Sequence, residues 1–344
     1  KFQFAIDVVR EIKERCGEEF PIIYRLDLTQ ALYESYGDQI FKKMFKGQER
    51  TIEEGLEFCQ VLAEAGVDAF DVDKGCYDNW FYPHPPAYFD DIPYVEQTAG
   101  RLKSFFQTKE IEAKVIAVGK LGKPDRAAEV LRQGWADFFM LGRPLLADPY
   151  WPQKVREGRV REIIHCIGDQ EGCIQSFVLG GHPCCTVNPY TGFEDSKKLS
   201  KANRVKNIAI IGAGPAGCEA AKTAHLRGHQ VTLFEKTDSV GGQLLTGSRM
   251  KIKHDLALYI DNLQYQMDLL EKEGVDIKYN TEVSVADLKG QFDVIICCNG
   301  LVAPLPQIEG RELIPYCEAR EFLDNEMQLP PDVKRVTVIG GGIV

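Results

Sequence analysis

The chain has 344 residues, 44% of them hydrophobic and 27% charged, with a net charge of −10 at pH 7. That is ordinary for a globular protein of two or three domains. The negative charge and the lack of a Lys/Arg-rich run exclude a nucleic-acid face, and no apolar run approaches the ~20 residues of a spanning helix. No signal peptide is visible, and 11 cysteines in so long a chain do not read as a disulfide scaffold, so a reducing cytoplasm is expected.

Phe2 to Arg15 carries apolar residues at helical spacing, and Gly17 stops the helix. Phe20 to Leu26 reads as a buried strand. Tyr33 to Gln48 is a polar-aromatic insertion whose role the pattern does not give. Thr51 to Ala65 is a helix with Thr51 as N-cap and Glu54 three residues on, the capping-box pattern. Strands follow at Val67 to Val72, Lys114 to Val118 and Asp137 to Leu141. Pro124 to Gln133 is a helix with proline at its start, and Asp148 opens another. Four strand–helix alternations with buried, β-branched or aromatic strands predict a parallel α/β arrangement.

In a barrel of this kind the chemistry lies beyond the strand C-terminal ends. Those positions hold Arg25, Asp73 to Tyr77, Gly119-Lys120 and Gly142-Arg143. Gly119 and Gly142 follow consecutive strands. Either they merely turn the chain, or they let backbone N–H groups approach a phosphate beside the Arg143 fork. The aromatic, proline-rich stretch Gly75 to Pro86 would roof the mouth; within it Tyr77 or His84 is either a proton donor or a packing residue.

Cysteines cluster at Cys166, Cys173, Cys184 and Cys185. By spacing they are free thiols or a metal or cluster site. Cys16, Cys59, Cys76, Cys218, Cys297 and Cys298 sit in apolar or helical contexts and are expected to be small buried hydrophobes. Asp195 to Arg204 reads as a linker. Then come a strand at Asn207 to Ile211, the glycines of Gly212-Ala213-Gly214-Pro215-Ala216-Gly217, a helix, and a strand at Val231 to Phe234 ending in Glu235. Strand, glycines, helix, strand and terminal acid in that order form a dinucleotide fingerprint. Gly212 makes the turn, Gly214 admits the pyrophosphate, Gly217 packs helix on strand, and Glu235 accepts from ribose hydroxyls. A helix at about Leu256 to Glu273 and a strand at Asp293 to Cys297 follow. Val336 to Ile339 with Gly340 and Gly342 begins what reads as a second fingerprint. Both ends read as cuts.

Taken together, Ile23-Tyr24-Arg25-Leu26, Val118-Gly119-Lys120, Leu141-Gly142-Arg143-Pro144, Cys166-Ile167-Gly168 and Cys185-Thr186-Val187-Asn188-Pro189 resemble the multidomain old yellow enzyme family. That family includes 2,4-dienoyl-CoA reductase, 2-enoate reductase, trimethylamine dehydrogenase and the bile-acid oxidoreductases. The resemblance implies the C-terminal half of an FMN-binding (β/α)8 TIM barrel over 1–160 and an iron–sulfur loop and linker over 161–200. A Rossmann-like FAD or ADP domain over 201–310 and the truncated start of an NAD(P)H domain over 311–344 would follow.

Arg25 would contact the flavin ring, and Gly119, Lys120, Gly142 and Arg143 the FMN phosphate. Gly212, Gly214, Ala216, Gly217, Glu235, Gly242 and Gln243 would hold FAD, with Lys253 and Gly300 near it. The family's cluster loop runs Cys-x2-Cys-x3-Cys-x11-Cys; Cys166, Cys173 and Cys185 match it, but Asp169 stands at the second position. Thiolates are the usual ligands, so three outcomes are open. Asp169 ligates a 4Fe–4S cluster, Cys184 replaces it, or the site holds three irons or none.

Tyr77 falls where the dienoyl-CoA reductases place a histidine donor. The implied activity is NAD(P)H-dependent reduction, by hydride from FMN, of an activated C=C bond in an enoate, enoyl-CoA or unsaturated steroid-type substrate. Electrons would pass from FAD through the cluster. The alternatives are an amine dehydrogenase of the trimethylamine dehydrogenase type and a cluster-deficient electron carrier. As an isolated half-barrel with open sheet edges the chain is expected to be inactive. The partners implied are a small-molecule substrate and NAD(P)H, with no nucleic acid and no membrane; a homo-oligomer is open.

Overall fold

A computed structural model describes residues 2–85, 93–301, 307–313, 315–324 and 333–340. It divides into two compact units, Lys1–Val155 with Gly168–Cys173, and Arg156–Ile167 with Ile174–Val344. The stretch 161–200, expected as a segment of its own, is thus shared between them.

In the first unit, β1 (Ile23–Asp27), β2 (Ala69–Asp73), β3 (Lys114–Val118) and β4 (Phe138–Met140) lie side by side in chain order, all parallel. Consecutive strands joined by helices on one face is the winding of a (β/α)8 barrel. The helices Gln3–Cys16, Ile52–Ala65, Arg101–Thr108 and Pro124–Arg132 supply Val9, Leu62, Leu102, Phe106 and Val130 to a core that also takes Phe70, Val72, Val115 and Ala117 from the strands. Each of these side chains except Ala117 contributes about 1.5–3 kcal/mol on full burial. Because side chains alternate across a strand, Arg25, Asp71 and Asp73 fall on the other face.

Local chemistry accounts for most element ends. The Thr51 hydroxyl accepts from the Glu54 N–H at 3.2 Å and the Glu54 carboxylate from the Thr51 N–H at 3.3 Å, closing the expected box. The first strand starts later than Phe20. The Lys13 ammonium binds the Phe20 carbonyl and the Asp68 carboxylate takes the Ile22 N–H, so Phe20 is tied to the flank, while the Ile22 carbonyl already accepts the Ala69 N–H at the start of β2. The insertion at 33–48 is a helix, Leu32–Met44, broken at Gly37, whose φ is 69°. The helix expected from Asp148 begins at Trp151, with Pro152 in its first turn where a missing N–H costs nothing.

The second unit has β5 (Asn207–Ile211), β6 (Gln230–Phe234), β7 (Asp276–Lys278) and β8 (Val294–Cys297), parallel, in the order β7-β6-β5-β8. With the first strand inside and the second and third to one side, this is the Rossmann-like order. Helix Pro215–Leu226 packs on the sheet, and helix Asp255–Lys272 packs against that helix.

Two expectations fail. Val336 to Ile339 form no strand; Val336, Val338 and Ile339 are exposed, and among the described residues no strand pairs with them. Gly341 to Val344, and so Gly342, lie outside the described residues, as does Pro86. Of the six cysteines expected inside, Cys59 and Cys218 are buried, Cys76 and Cys298 are half-buried, and Cys16 and Cys297 are exposed. Cys297 ends an edge strand and Cys16 a helix, where one side faces water.

Candidate functional site

Arg25 on β1 stands in register with Asp71 on β2. Its guanidinium spans two carboxylates, donating to Asp71 Oδ2 at 3.1 Å and Asp73 Oδ2 at 2.8 Å. Asp73 Oδ1 also accepts from the Tyr94 hydroxyl at 3.0 Å and the Lys74 N–H at 2.8 Å. Both acids are buried while the Arg25 side chain is 52% exposed, so the cation faces the open side of the sheet. Burial pushes both carboxyls above their usual range. At Asp73 the Lys74 N–H, Arg25 and Tyr94 all work against it; at Asp71 only Arg25 does. Burial and then Asp73 raise the Tyr94 hydroxyl well above the usual phenol range.

Gly119 has φ +117°, and a Cβ on it would lie 2.2 Å from the Tyr94 ring. The close approach this glycine permits is therefore to a tyrosine as well as to any ligand. Lys120 follows in the left-handed region, at φ 47°. Gly142 has nothing within 4 Å of a built Cβ. Beside it, Arg143 donates one N–H to the Pro85 carbonyl at 2.7 Å, while its other terminal nitrogen is buried with no hydrogen-bond partner among the described residues. A desolvated guanidinium nitrogen beside open space fits a phosphate oxygen.

The segment after β2 is pinned by Asn79, whose amide donates to the Gln30 and Ala31 carbonyls at 2.7 and 3.1 Å. Tyr77 stands 84% exposed, its ring 5.6 Å from that of Trp80. The other face of this segment belongs to His84, stacked on Trp80 at 4.5 Å and 28°. Burial, then the charges of Arg143 and Arg25, lower its pKa, and Nδ1 is buried without a partner among the described residues. The imidazole is therefore neutral near pH 7. Nearby, Lys74 is buried, its ammonium 2.8 and 2.9 Å from the two Glu34 oxygens and 4.6 Å from the Tyr82 ring. This pair borders a cavity of about 250 Å³ that also meets Thr29, Glu49, Ile52 and Thr98.

Asp71, Tyr94 and Glu34 were not singled out from sequence, whereas Lys74 lay within the expected strand-end stretch Asp73 to Tyr77. A signal existed for the first: Phe70-Asp71-Val72-Asp73 puts two acids on one face of a buried strand, opposite an arginine.

In the second unit, Gly217 permits the helix to close on the strand: a Cβ there would sit 1.8 Å from the Gly212 carbonyl oxygen. Gly212 has φ +100° beneath the Cys298 carbonyl, and Gly214 faces open space at the helix start, with Ala216 in the first turn. N–H groups exposed there suit a pyrophosphate. Gly242 packs on Gly214, its built Cβ 3.2 Å from the Gly214 Cα. The Gln243 amide donates to the Leu301 carbonyl at 2.6 Å, next to Gly300. Lys253 ends the short 3-10 turn Lys251–Lys253. Glu235 is already engaged: Oε2 takes the Ala213 N–H at 2.7 Å and Oε1 the Thr237 N–H and hydroxyl at 2.9 Å. It holds the glycine loop in shape, with lone pairs left for a ribose.

The thiols of Cys166, Cys173 and Cys185 are the donor type an iron–sulfur centre needs. Cys166 and Cys185 belong to the second unit, Asp169 and Cys173 to the first. Among the described residues no three His, Cys, Asp or Glu side chains gather as a metal-holding group. The donor chemistry of these thiols fits a cluster.

Residues 1–162 match the NADH:flavin oxidoreductase / NADH oxidase family, and residues 206–344 the pyridine nucleotide-disulphide oxidoreductases. A flavin-barrel family followed by a dinucleotide-fold family in one chain is the domain pair of the multidomain old yellow enzyme family, to which this chain is similar.

It is 32% identical over 349 residues to a cinnamate reductase of Clostridium sporogenes and to an NADH oxidase of Thermoanaerobacter brockii, each alignment taking 100% of this chain and 50% of the relative. A solved 2-naphthoyl-CoA reductase with 2-naphthoyl-CoA superposes with TM-score 0.82 at 27% identity, over 95% of this chain and 47% of that one. A histamine dehydrogenase from Rhizobium sp. 4-9 gives 0.71 at 27% identity, over 86% and 40%. The chain spans about half the length of the curated relatives it matches. No helix among the described residues is long and apolar enough to cross a membrane.

Proposed function

We propose that the protein carrying this chain is an NAD(P)H-dependent flavoenzyme that reduces a C=C bond conjugated to a carbonyl, in an enoate, enoyl-CoA or unsaturated steroid-type substrate. The observation that carries the reading is the Arg25 cation facing the open side of the barrel sheet, with the unpartnered Arg143 nitrogen beside Gly142. The cinnamate and 2-naphthoyl-CoA reductases among the relatives favour an enoate or aromatic acyl-CoA substrate.

Bound FMN would supply hydride. Arg25 would place positive charge beside the ring, where it favours the reduced, anionic form. Arg143, Lys120 and the backbone at Gly119 and Gly142 would hold the phosphate. His84, a neutral donor under the aromatic segment, would polarise the substrate carbonyl as charge develops on its oxygen. Tyr77, exposed on the same segment, is the second candidate donor. In the other unit, Gly212, Gly214, Ala216, Gly217, Glu235, Gly242 and Gln243 would hold FAD, with Lys253 and Gly300 beside it. Cys166, Cys173 and Cys185, with Asp169, are the proposed ligands of an iron–sulfur centre. The expected setting is the cytoplasm, with NAD(P)H and a small-molecule substrate as partners.

The dimethylamine and histamine dehydrogenases among the relatives give the second reading, oxidation of an amine. Anaerobic assay of the full-length holoenzyme separates the two. Enoate-dependent NAD(P)H oxidation supports the first; amine-dependent dye reduction without it supports the second. Iron and sulfide analysis of the same sample tests the cysteine assignment.

A further inference from the structure

Two carboxylates share one guanidinium at the end of β2, and they are not equivalent. Asp73 is saturated, receiving Arg25, the Tyr94 hydroxyl and the Lys74 N–H. Asp71 is 1% exposed, receives only Arg25 on Oδ2, and its Oδ1 is buried with no partner among the described residues. A buried carboxylate oxygen without a donor is costly. It is tolerable while Arg25 supplies the compensating charge. If that charge is drawn to a new anion on the open side of the sheet, Asp71 is left a buried anion beside a second buried anion, and a proton on Oδ1 is the relief the geometry offers.

The charged and titratable groups around Asp71 are Arg25 from β1, Asp73 from its own strand, and Tyr94 beyond Asp73; β3 presents Ile116 and Val118, which do not titrate. Met140 on β4 reaches Arg25 through its sulfur at 3.6 Å. Burial already raises the Asp71 carboxyl, with Arg25 opposing.

Resting on the flavin reading above, we propose that Asp71 is a positioning residue that takes up a proton when the flavin beside Arg25 is reduced, freeing the full Arg25 charge for the reduced ring. The balance is two electrons and two protons. The nicotinamide donor supplies two electrons, which end on the flavin, and its proton is released to solvent. Solvent supplies one proton to the reduced anionic ring and one to Asp71 Oδ1.

The test is the pH dependence of the FMN midpoint potential in the full-length holoenzyme, measured near neutral pH. For a two-electron couple, tenfold in equilibrium constant is about 30 mV. One proton gives a tenfold change per pH unit; two give a hundredfold change, a slope of about 60 mV per pH unit. Wild type is expected at the steeper slope and Asp71→Asn, which keeps the shape but cannot take the proton, at the shallower one. Asp73→Asn is expected to keep the steeper slope. A wild-type slope of about 30 mV, or equal slopes in wild type and Asp71→Asn, overturns the proposal. Should Asp71→Asn fail to fold, Asp71→Ser takes its place in the same measurement, with the same shallower slope expected. Wild-type protein with no FMN couple contradicts the functional reading itself, and the proposal with it.

Discussion

The two units prepare for their nucleotides in different ways. In the Rossmann-like unit the site is made of backbone: Gly212, Gly214, Gly217 and Gly242 fix how closely chain meets chain, and Glu235 ties the loop with its N–H contacts. In the barrel unit it is made of charge: Arg25 against Asp71 and Asp73, and Arg143 with a buried nitrogen unpartnered among the described residues. A backbone site fails by steric clash, all at once. A charge site fails by degrees and changes its tuning before it loses its shape.

The largest effect is therefore expected in the glycine loop. Gly217→Val puts atoms where the Gly212 carbonyl already stands, since even a Cβ would be 1.8 Å away. Helix and strand must part, at about 1–3 kcal/mol or more, and FAD should be lost outright. The flavin-to-protein ratio after gel filtration reads this, and FAD retained at full occupancy would break the comparison.

Arg143→Met should act more gently. Removing a charge-assisted contact costs about 1.5–3 kcal/mol, so FMN affinity should fall roughly 10- to 100-fold, with FAD content unchanged. Titration of the apoprotein with FMN checks it.

The smallest effects belong to the aromatic segment. His84→Asn should lower turnover while Tyr77→Phe, altering an exposed ring, leaves it near wild type. Because the His84 pKa is lowered in the fold, its contribution to stability is whole above about pH 6.5. That contribution is lost as pH falls below this value and the unfolded chain takes the proton. His84→Asn should flatten this acid-side loss in thermal melts. The reverse pattern, with Tyr77→Phe inactive, would shift the donor role to Tyr77.

The same contrast explains what was legible in the sequence. Backbone devices carry letters: the Thr51/Glu54 box, the glycines at 212, 214 and 217, and strands β3 and β5 are found where the pattern put them. Charge devices depend on register and on distant segments. Tyr94 meets Asp73 across 21 positions and Arg25 meets Asp71 across 46, and no spacing rule reaches that far. The cysteine loop shows the limit from the other side. Its letters point to a cluster, yet its candidate ligands fall in two units. Val336 to Ile339 shows that an apolar, β-branched run need not form a strand: among the described residues no strand pairs with it.

The most direct test of the whole account is a single anaerobic experiment on the full-length holoenzyme, following the flavin absorbance. NAD(P)H should bleach it, and an added enoate or enoyl-CoA should restore it with one product formed per nicotinamide consumed. Flavin that stays bleached with every such substrate, but is reduced directly by an amine, would contradict the account.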